Sequence, residues 1–373
     1  MNQNTLKRLP VVFLPLIFAL LPHARGWNET VHLDSPALAG NKIGNPTRRR
    51  VFIYLPPGYE RDSDHYYPTL YVLHGWGGDD KIGQTVSDIA DKLILDGEIK
   101  PMILAAPDTK GKIYIGTFYT NSSLNGRWED FITQDLVQFV ERNYRAVRQS
   151  RSRGIMGVSM GGYGAIKLAL KHPDIFSVVY GNVPALLRFA EPDPVGFPMW
   201  AWQQIVGLQS VEEMLAIGGA AVMMMSSGAA LAANLSNPPF FFDVPYQLVG
   251  GQLEKVDRVF DRIVAETPLT MLDNYEKQVR QLKGIAFDAA TQDAFIDILP
   301  SCKEFSQALD NLKIDHTFEV FTGGHTDRFA DRCQTTILPF FSDLLLFGQE
   351  FSITQVAAKA KLAVTWGQIK SAN

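Results

Sequence analysis

Gly157-Val158-Ser159-Met160-Gly161 follows the short apolar run Gly154–Gly157 and leads directly into Gly162-Tyr163-Gly164, where a helical segment begins. A serine flanked by small residues at a strand-to-helix junction sits on a turn tight enough to expose its hydroxyl. That hydroxyl emerges at the C-terminal edge of a sheet, over the positive end of the next helix. The bare five-residue pattern recurs by chance. The strand–turn–helix setting, with Gly162 and Gly164 continuing the close packing, separates it from a glycine-rich turn carrying an incidental serine.

A serine hydroxyl is a poor nucleophile at neutral pH and needs a base within hydrogen-bond reach. Beyond residue 26 the candidates are His32, His65, His74, His172, His316 and His325. His325 is the expected base, because Val320-Phe321-Thr322 ends a strand and Gly323-Gly324 loops straight into it. His316 opens that same strand and would lie at its far end, and His172 ends the helix after Ser159, where it would act as a cap. For the acid, Asp288 ends the strand that starts at Gly284, and Asp293 lies on the loop beyond it. The role needs a carboxylate that orients the imidazole and stabilises its protonated form. Asp293 is preferred for its reach, with Asp288 as the alternative; the unused one would cap the turn or the following helix. His74-Gly75-Trp76-Gly77-Gly78 follows another apolar strand and can aim backbone N–H groups at a developing oxyanion, which assigns that hole to the N–H groups of Trp76 and Met160. His74 itself reads as a structural hydrogen-bonding residue.

The 373 residues carry 35 basic and 39 acidic side chains, a formal charge of −4, with 46% hydrophobic residues. This composition excludes a disordered chain and argues against a nucleic-acid partner. Lys7 and Arg8 precede an apolar run from Leu9 to Pro22, followed by Ala24-Arg25-Gly26. The run is short for a membrane span and is broken by Pro10, Pro15 and Pro22, so residues 1–26 are expected to be a cleavable signal peptide of a secreted or periplasmic protein, with an uncleaved anchor as the alternative. In an oxidising compartment Cys302 and Cys333, which flank His325, would form either a bridge or two buried free thiols; both readings stand. Two cysteines so spaced make neither a disulfide scaffold nor a zinc site.

Between residues 50 and 348, short β-rich runs alternate with helical segments, the pattern of an α/β protein with a mostly parallel sheet flanked by helices. Strands are expected at Val51–Leu55, Thr69–His74, Met102–Ala106, Gly154–Gly157, Phe176–Tyr180, Gly284–Asp288 and Thr317–Phe321, several of them apolar enough to be covered on both faces. Helices are expected at Thr85–Leu95, Trp128–Tyr144, Gly162–Leu170, Lys303–Leu312 and Thr335–Leu346. Residues 27–183 and 269–348 read as one core interrupted by an inserted apolar cap at 184–268, and residues 349–373 form a C-terminal extension. The cap holds Phe197-Pro198, Trp200, Trp202, an uncharged 20-residue run from Met214 to Ala233 and Phe240-Phe241-Phe242. That run is long enough to span a membrane. Its Gly218, Gly219, Ser226, Ser227 and Gly228, and its place inside the core pattern, favour a buried or interfacial cap helix over a membrane span, with membrane contact through the cap as the less favoured alternative.

The segments Val51–Tyr59, Tyr67–Gly75, Ala106-Pro107-Asp108, Tyr119–Glu129, Gly157–Gly164, Asp288–Phe295 and Gly323-Gly324-His325 together resemble the esterase D family of α/β-hydrolases. That family includes S-formylglutathione hydrolases, feruloyl and other carbohydrate esterases, and mycolyltransferases. The resemblance implies an α/β-hydrolase fold and a serine carboxylesterase working through an acyl-enzyme on a small-molecule or polysaccharide-linked ester, without metal or organic cofactor. It also favours Asp293, since in relatives the acid lies a few residues past the strand end. Tyr119 and Trp128, with Trp200 and Trp202 of the cap, are candidate substrate contacts; the cap aromatics either favour an aromatic or aliphatic acyl group or simply pack the cap onto the core. An acyltransferase with the same three residues is the close alternative, and a non-catalytic surface binder the distant one. An export signal counts against a formylglutathione hydrolase, which would be cytosolic. Two departures bear on the substrate: the long segment 181–283, and Thr326-Asp327 where many relatives carry an aromatic after the histidine.

Overall fold

The computed structural model describes residues 25–61, 63–189 and 199–347, without the side chains of residues 61, 199–201 and 220. The expected leader up to residue 24, Phe197-Pro198 and the extension 349–373 lie outside the described residues. Eight strands form one sheet: β1 (Trp27–Asp34), β2 (Arg48–Leu55), β3 (Thr69–Leu73), β4 (Ile103–Pro107), β5 (Arg153–Val158), β6 (Val178–Asn182), β7 (Gly284–Ala290) and β8 (Thr317–Phe321). Their order across the sheet is β1-β2-β4-β3-β5-β6-β7-β8. Only β2 runs against its neighbours, antiparallel to both β1 and β4; all other adjacent pairs from β4 to β8 are parallel.

The central strands are buried on both faces, and alternate residues feed two separate cores. One core takes Val51, Ile53, Tyr71, Leu73, Ile155, Val179 and Phe287; the other takes Phe52, Tyr54, Leu70, Val72, Met156, Tyr180 and Ala286. Helix α1 (Ile82–Leu95) and the C-terminal helical run α10 (329–344) cover the second face through Val86, Ala90, Leu93, Ile337, Leu338 and Phe341. The first face is covered by α2 (128–143, with a π turn over Phe131–Leu136), α3 (Met160–Lys171) and α9 (Ile298–Asn311). Strand β1 was not expected from the sequence. Its residues are mostly polar and half-exposed, and its place is set by the ladder with β2, from Trp27 opposite Leu55 to Asp34 opposite Arg48.

The inserted region contains α4 (Met199–Val206), α5 (Val211–Ile217), α6 (Gly219–Leu231), a strand pair Tyr246–Val249 with Gln252–Lys255, and α7 (Asp257–Val264), followed by α8 (Pro268–Val279). The uncharged run does not form one helix. Gly218 takes φ +84° between α5 and α6, a left-handed conformation that glycine adopts at little cost. Ser226 and Ser227 donate back to the carbonyls of Val222 and Met224, so α6 buries both hydroxyls with partners. A side chain at Gly228 would meet the Phe242 ring at 2.5 Å, which is how α6 seats against the aromatic triplet. Among the described residues no helix is long and apolar enough to cross a membrane. The cysteines are buried free thiols in different cores, Cys302 on the first face and Cys333 on the second, so the sheet stands between them; burial pushes both thiols up from their ordinary pKa.

Glu129, at the start of α2, is buried against the end of α3, where His172 Nε2 lies 2.9 Å and Lys171 Nζ 2.7 Å from its carboxylate. Burial alone would raise its pKa, but the hydrogen bonds from His172 and Lys171 outweigh it and hold the group down at about 2, against an ordinary 4.5. A depressed folded pKa contributes stability above the unfolded value that is lost as pH falls through the folded one, here between 4.5 and about 2. We expect Glu129→Gln to cost on the order of 3 kcal/mol at pH 7. Urea midpoints measured from neutral pH to pH 2 should converge for the two proteins; a constant offset across the range would refute this linkage.

Candidate active site

Ser159 occupies the junction between β5 and α3 with φ +57° and ψ −118°, a conformation that L-residues seldom take and that costs about 1–3 kcal/mol. Neighbouring backbone holds it there. The Ser159 N–H donates to Asn182 O at 3.0 Å, and the Ser159 carbonyl accepts from Tyr163 N–H at 3.0 Å and Ala185 N–H at 3.1 Å. The flanking glycines are required by close approach: a Cβ at Gly157 would lie 2.2 Å from the Gly161 carbonyl, and one at Gly161 would lie 2.2 Å from the Leu73 oxygen.

The chain brings His325 and Asp293 to this serine. His325 Nε2 lies 2.9 Å from Ser159 Oγ, and its Nδ1 lies 2.8 Å from Asp293 Oδ2. Asp293 Oδ1 accepts the Phe295 N–H at 2.8 Å, and the Phe295 ring stands edge-on to the imidazole at 4.7 Å. The two loops are joined where β7 and β8 end: Thr291 N–H donates to Phe321 O and Gln292 N–H to Gly323 O, both at 2.9 Å. Just before the histidine, the Gly324 N–H donates to both oxygens of Asp327 at 3.0 and 2.9 Å.

Asp288 is placed differently. It lies inside β7 with the parity of Ala286 and therefore points into the second face. There it accepts from Tyr180 Oη at 2.9 Å, Asn182 Nδ2 at 2.9 Å, Val183 N–H at 3.0 Å and Arg332 Nε at 2.9 Å. Arg332 also donates to Tyr180 Oη at 2.8 Å and Glu319 at 2.5 Å, so one guanidinium ties β6, β7 and β8 to α10. Two of the other described histidines make contacts away from this serine. His316 bonds Ser306 at 2.7 Å and stacks on Phe287, and His172 caps α3 with its N–H on Leu168 O while its ring pairs with Glu129.

After β3 the chain passes close over the elbow: a Cβ at Gly75 would lie 3.4 Å from Val158 O and 3.5 Å from Ser159 Cβ. Among the described residues no backbone acceptor takes the N–H of Trp76 or of Met160, the first residue of α3. The Trp76 indole rests against Gly116 beside the Met160 sulfur.

Three expected substrate contacts are corrected by burial. Tyr119 is wholly buried with its hydroxyl donating to His74 O at 2.7 Å, and Trp128 is wholly buried with Nε1 donating to Asn125 O at 2.9 Å. Trp202 is buried against the Tyr246 ring at 5.3 Å. Bulky aromatic rings drop into the core where packing can cover them, and none of the three presents a surface to a ligand. Trp200 lies on α4, and its side chain falls outside the described residues. Residues the sequence reading did not single out are Phe295 at the imidazole edge, Thr109 behind His74, and Arg332. Asp327 had a signal, as the acid where relatives carry an aromatic.

Removing one partner of a buried, fully bonded charge pair leaves the other uncompensated. Asp288→Ala should therefore cost about 3–5 kcal/mol of stability, whereas Asp293→Asn should stay within about 1 kcal/mol of the parent. Chemical denaturation of the two variants side by side distinguishes the carboxylates; equal losses would contradict this division.

A protein-family model described as "Putative esterase" matches residues 44–204. Esterase Rv1288 of Mycobacterium tuberculosis is 27% identical over 286 residues, an alignment covering 74% of this chain and 52% of that protein. The chain thus spans about half the length of that curated relative. Among solved structures, a ferulic acid esterase superposes with a TM-score of 0.59 at 20% identity, covering 86% of this chain and 99% of the other. An S-formylglutathione hydrolase from Agrobacterium tumefaciens superposes with a TM-score of 0.54 at 17% identity, covering 86% and 96%. The fold is that of an α/β-hydrolase, and within it residues 44–204 resemble the esterase family.

Proposed function

We propose that this chain, an α/β-hydrolase similar to esterases, hydrolyses carboxylic esters with Ser159 as nucleophile. The observation that carries the reading is the unbroken line from Ser159 Oγ through His325 to Asp293, at 2.9 and 2.8 Å, on a strained strand-to-helix turn. Asp293 accepts a hydrogen bond from the His325 Nδ1–H, which leaves Nε2 unprotonated and free to act as base. Ser159 Oγ attacks the ester carbonyl carbon as His325 Nε2 takes its proton. The oxyanion is held by the N–H groups of Trp76 and Met160, neither of which is taken by a backbone acceptor among the described residues. Collapse of this intermediate expels the alcohol, which leaves with the proton from His325. Water then attacks the acyl carbon by the same route and frees Ser159.

Partly buried Phe295 stands edge-on to the His325 ring, which favours an aromatic or aliphatic acyl group over a charged one. The basic, apolar and small-residue sequence of residues 7–26 supports action outside the cytoplasm.

Initial rates on p-nitrophenyl esters from acetate to long acyl chains, and on methyl ferulate, test the reading. Ser159→Ala should abolish turnover, and Asp293→Asn should lower kcat by about 10³- to 10⁴-fold. A folded parent protein that is inert on the whole panel and resists a fluorophosphonate probe would overturn it. Ester product outpacing hydrolysis when an alcohol acceptor is added would instead identify an acyltransferase.

A further inference from the structure

We infer that His74 and Tyr119 are positioning residues that hold the two peptide groups around Gly75 so that the Trp76 N–H is aimed at the oxyanion. The inference rests on the proposed ester chemistry at Ser159. His74 is buried at the end of β3, and its ring is read from both sides. The Thr109 N–H donates to Nε2 at 3.0 Å, with Thr109 Oγ1 at 2.9 Å. A backbone N–H can only donate, so Nε2 carries a lone pair and the proton sits on Nδ1. That Nδ1–H faces the Gly75 carbonyl oxygen at 2.7 Å. Burial lowers the pKa of His74, which keeps the ring in this neutral form.

The Gly75 oxygen also accepts the Gly78 N–H at 3.1 Å, so both its lone pairs are engaged on the protein side of the loop. In a trans peptide the carbonyl and the following N–H point in opposite directions. Fixing Gly75 O therefore fixes the Trp76 N–H facing away from His74, on a loop that passes 3.5 Å, at the Gly75 Cβ position, from Ser159 Cβ. The preceding peptide is held as well, because Tyr119 Oη donates to His74 O at 2.7 Å. Glycine is the residue at which a peptide flips most easily, and here the peptides on both sides of one are tied down by buried side chains. Thr109 and Tyr119 are both wholly buried, so water does not replace these bonds. The glycine loop thus gains the preorganisation that electrostatic stabilisation of an oxyanion requires.

His74→Leu removes the Nδ1 donor, and Tyr119→Phe removes only the hydroxyl. His74→Asn keeps a donor close to the Nδ1 position. With active sites counted by a phosphonate titrant and p-nitrophenyl acetate as substrate, His74→Leu should lose at least about tenfold in kcat with KM within about twofold, the loss of one oxyanion donor being worth about 10²- to 10³-fold. Tyr119→Phe should lose about threefold to tenfold in kcat. Affinity for an alkyl trifluoromethyl ketone, which reproduces the oxyanion, should fall in parallel, and His74→Asn should recover most of both. A merely structural role would lower the number of titratable sites and leave kcat per site and ketone affinity unchanged, and that result overturns the proposal. Should His74→Leu fail to fold, Tyr119→Phe decides by the same two readouts. Ser159→Ala separates the premises: hydrolysis surviving there defeats the reading of the nucleophile, whereas an inactive Ser159→Ala beside fully active clamp variants defeats only the clamp.

Discussion

The close approach of β3, β5 and α3 at Gly157 and Gly161 is the constraint on which the rest of the site depends. With only hydrogen at these positions, backbone passes within 2.2 Å of where a Cβ would stand, and Ser159 is driven to φ +57° between them. The strain is local, and the bonds that hold it come from elsewhere in the chain: Asn182 at the end of β6, Ala185 just beyond it, and the first turn of α3. The pentapeptide supplies the glycines of the elbow, and the assembled sheet holds Ser159 in its strained conformation. It also draws Gly75 and the first N–H of α3 to the same point.

Two carboxylates five residues apart show how strand geometry divides labour. Asp288 lies within the ladder of β7, and strand parity turns it to the second face, where Arg332, Tyr180 and Asn182 surround it. Asp293 lies past the ladder, on a loop still stitched to the end of β8, and reaches His325. The buried ion pair at Asp288 fixes the ends of β6, β7 and β8 relative to one another, and the loops bearing Asp293 and His325 grow from two of those ends. A network of this kind contributes chiefly by orienting, because much of its attraction offsets the desolvation of its charges.

The central strands and the major helices were legible because both faces of the sheet are covered. Runs such as Thr69–Leu73 and Ile103–Pro107 are buried throughout and carry a strong apolar signal, and the helix at Ile82–Leu95 repeats its apolar positions at helical spacing. Strand β1 was not legible, since a half-exposed edge strand reads as polar alternation and is specified by its partner β2. The cap run Met214–Ala233 looked like one helix, but it breaks at Gly218, where positive φ is cheap. Tyr119, Trp128 and Trp202 were legible as large aromatics near the site, yet nothing local distinguishes an aromatic that lines a cleft from one that fills a core.

By itself, the sequence determined the fold class, the elbow at Ser159 and the loop of His325, because each is encoded in a short stretch where glycine spacing or apolar periodicity acts directly on the backbone. Only the tertiary structure decided which carboxylate faces the imidazole, which face of the sheet each cysteine joins and which groups His74 bonds after β3. Those outcomes depend on strand register and on contacts between residues tens to hundreds of positions apart, such as Ser159 with His325 and Asp288 with Arg332. A one-residue change of register would turn each side chain to the opposite face, and no local pattern in the chain carries that information.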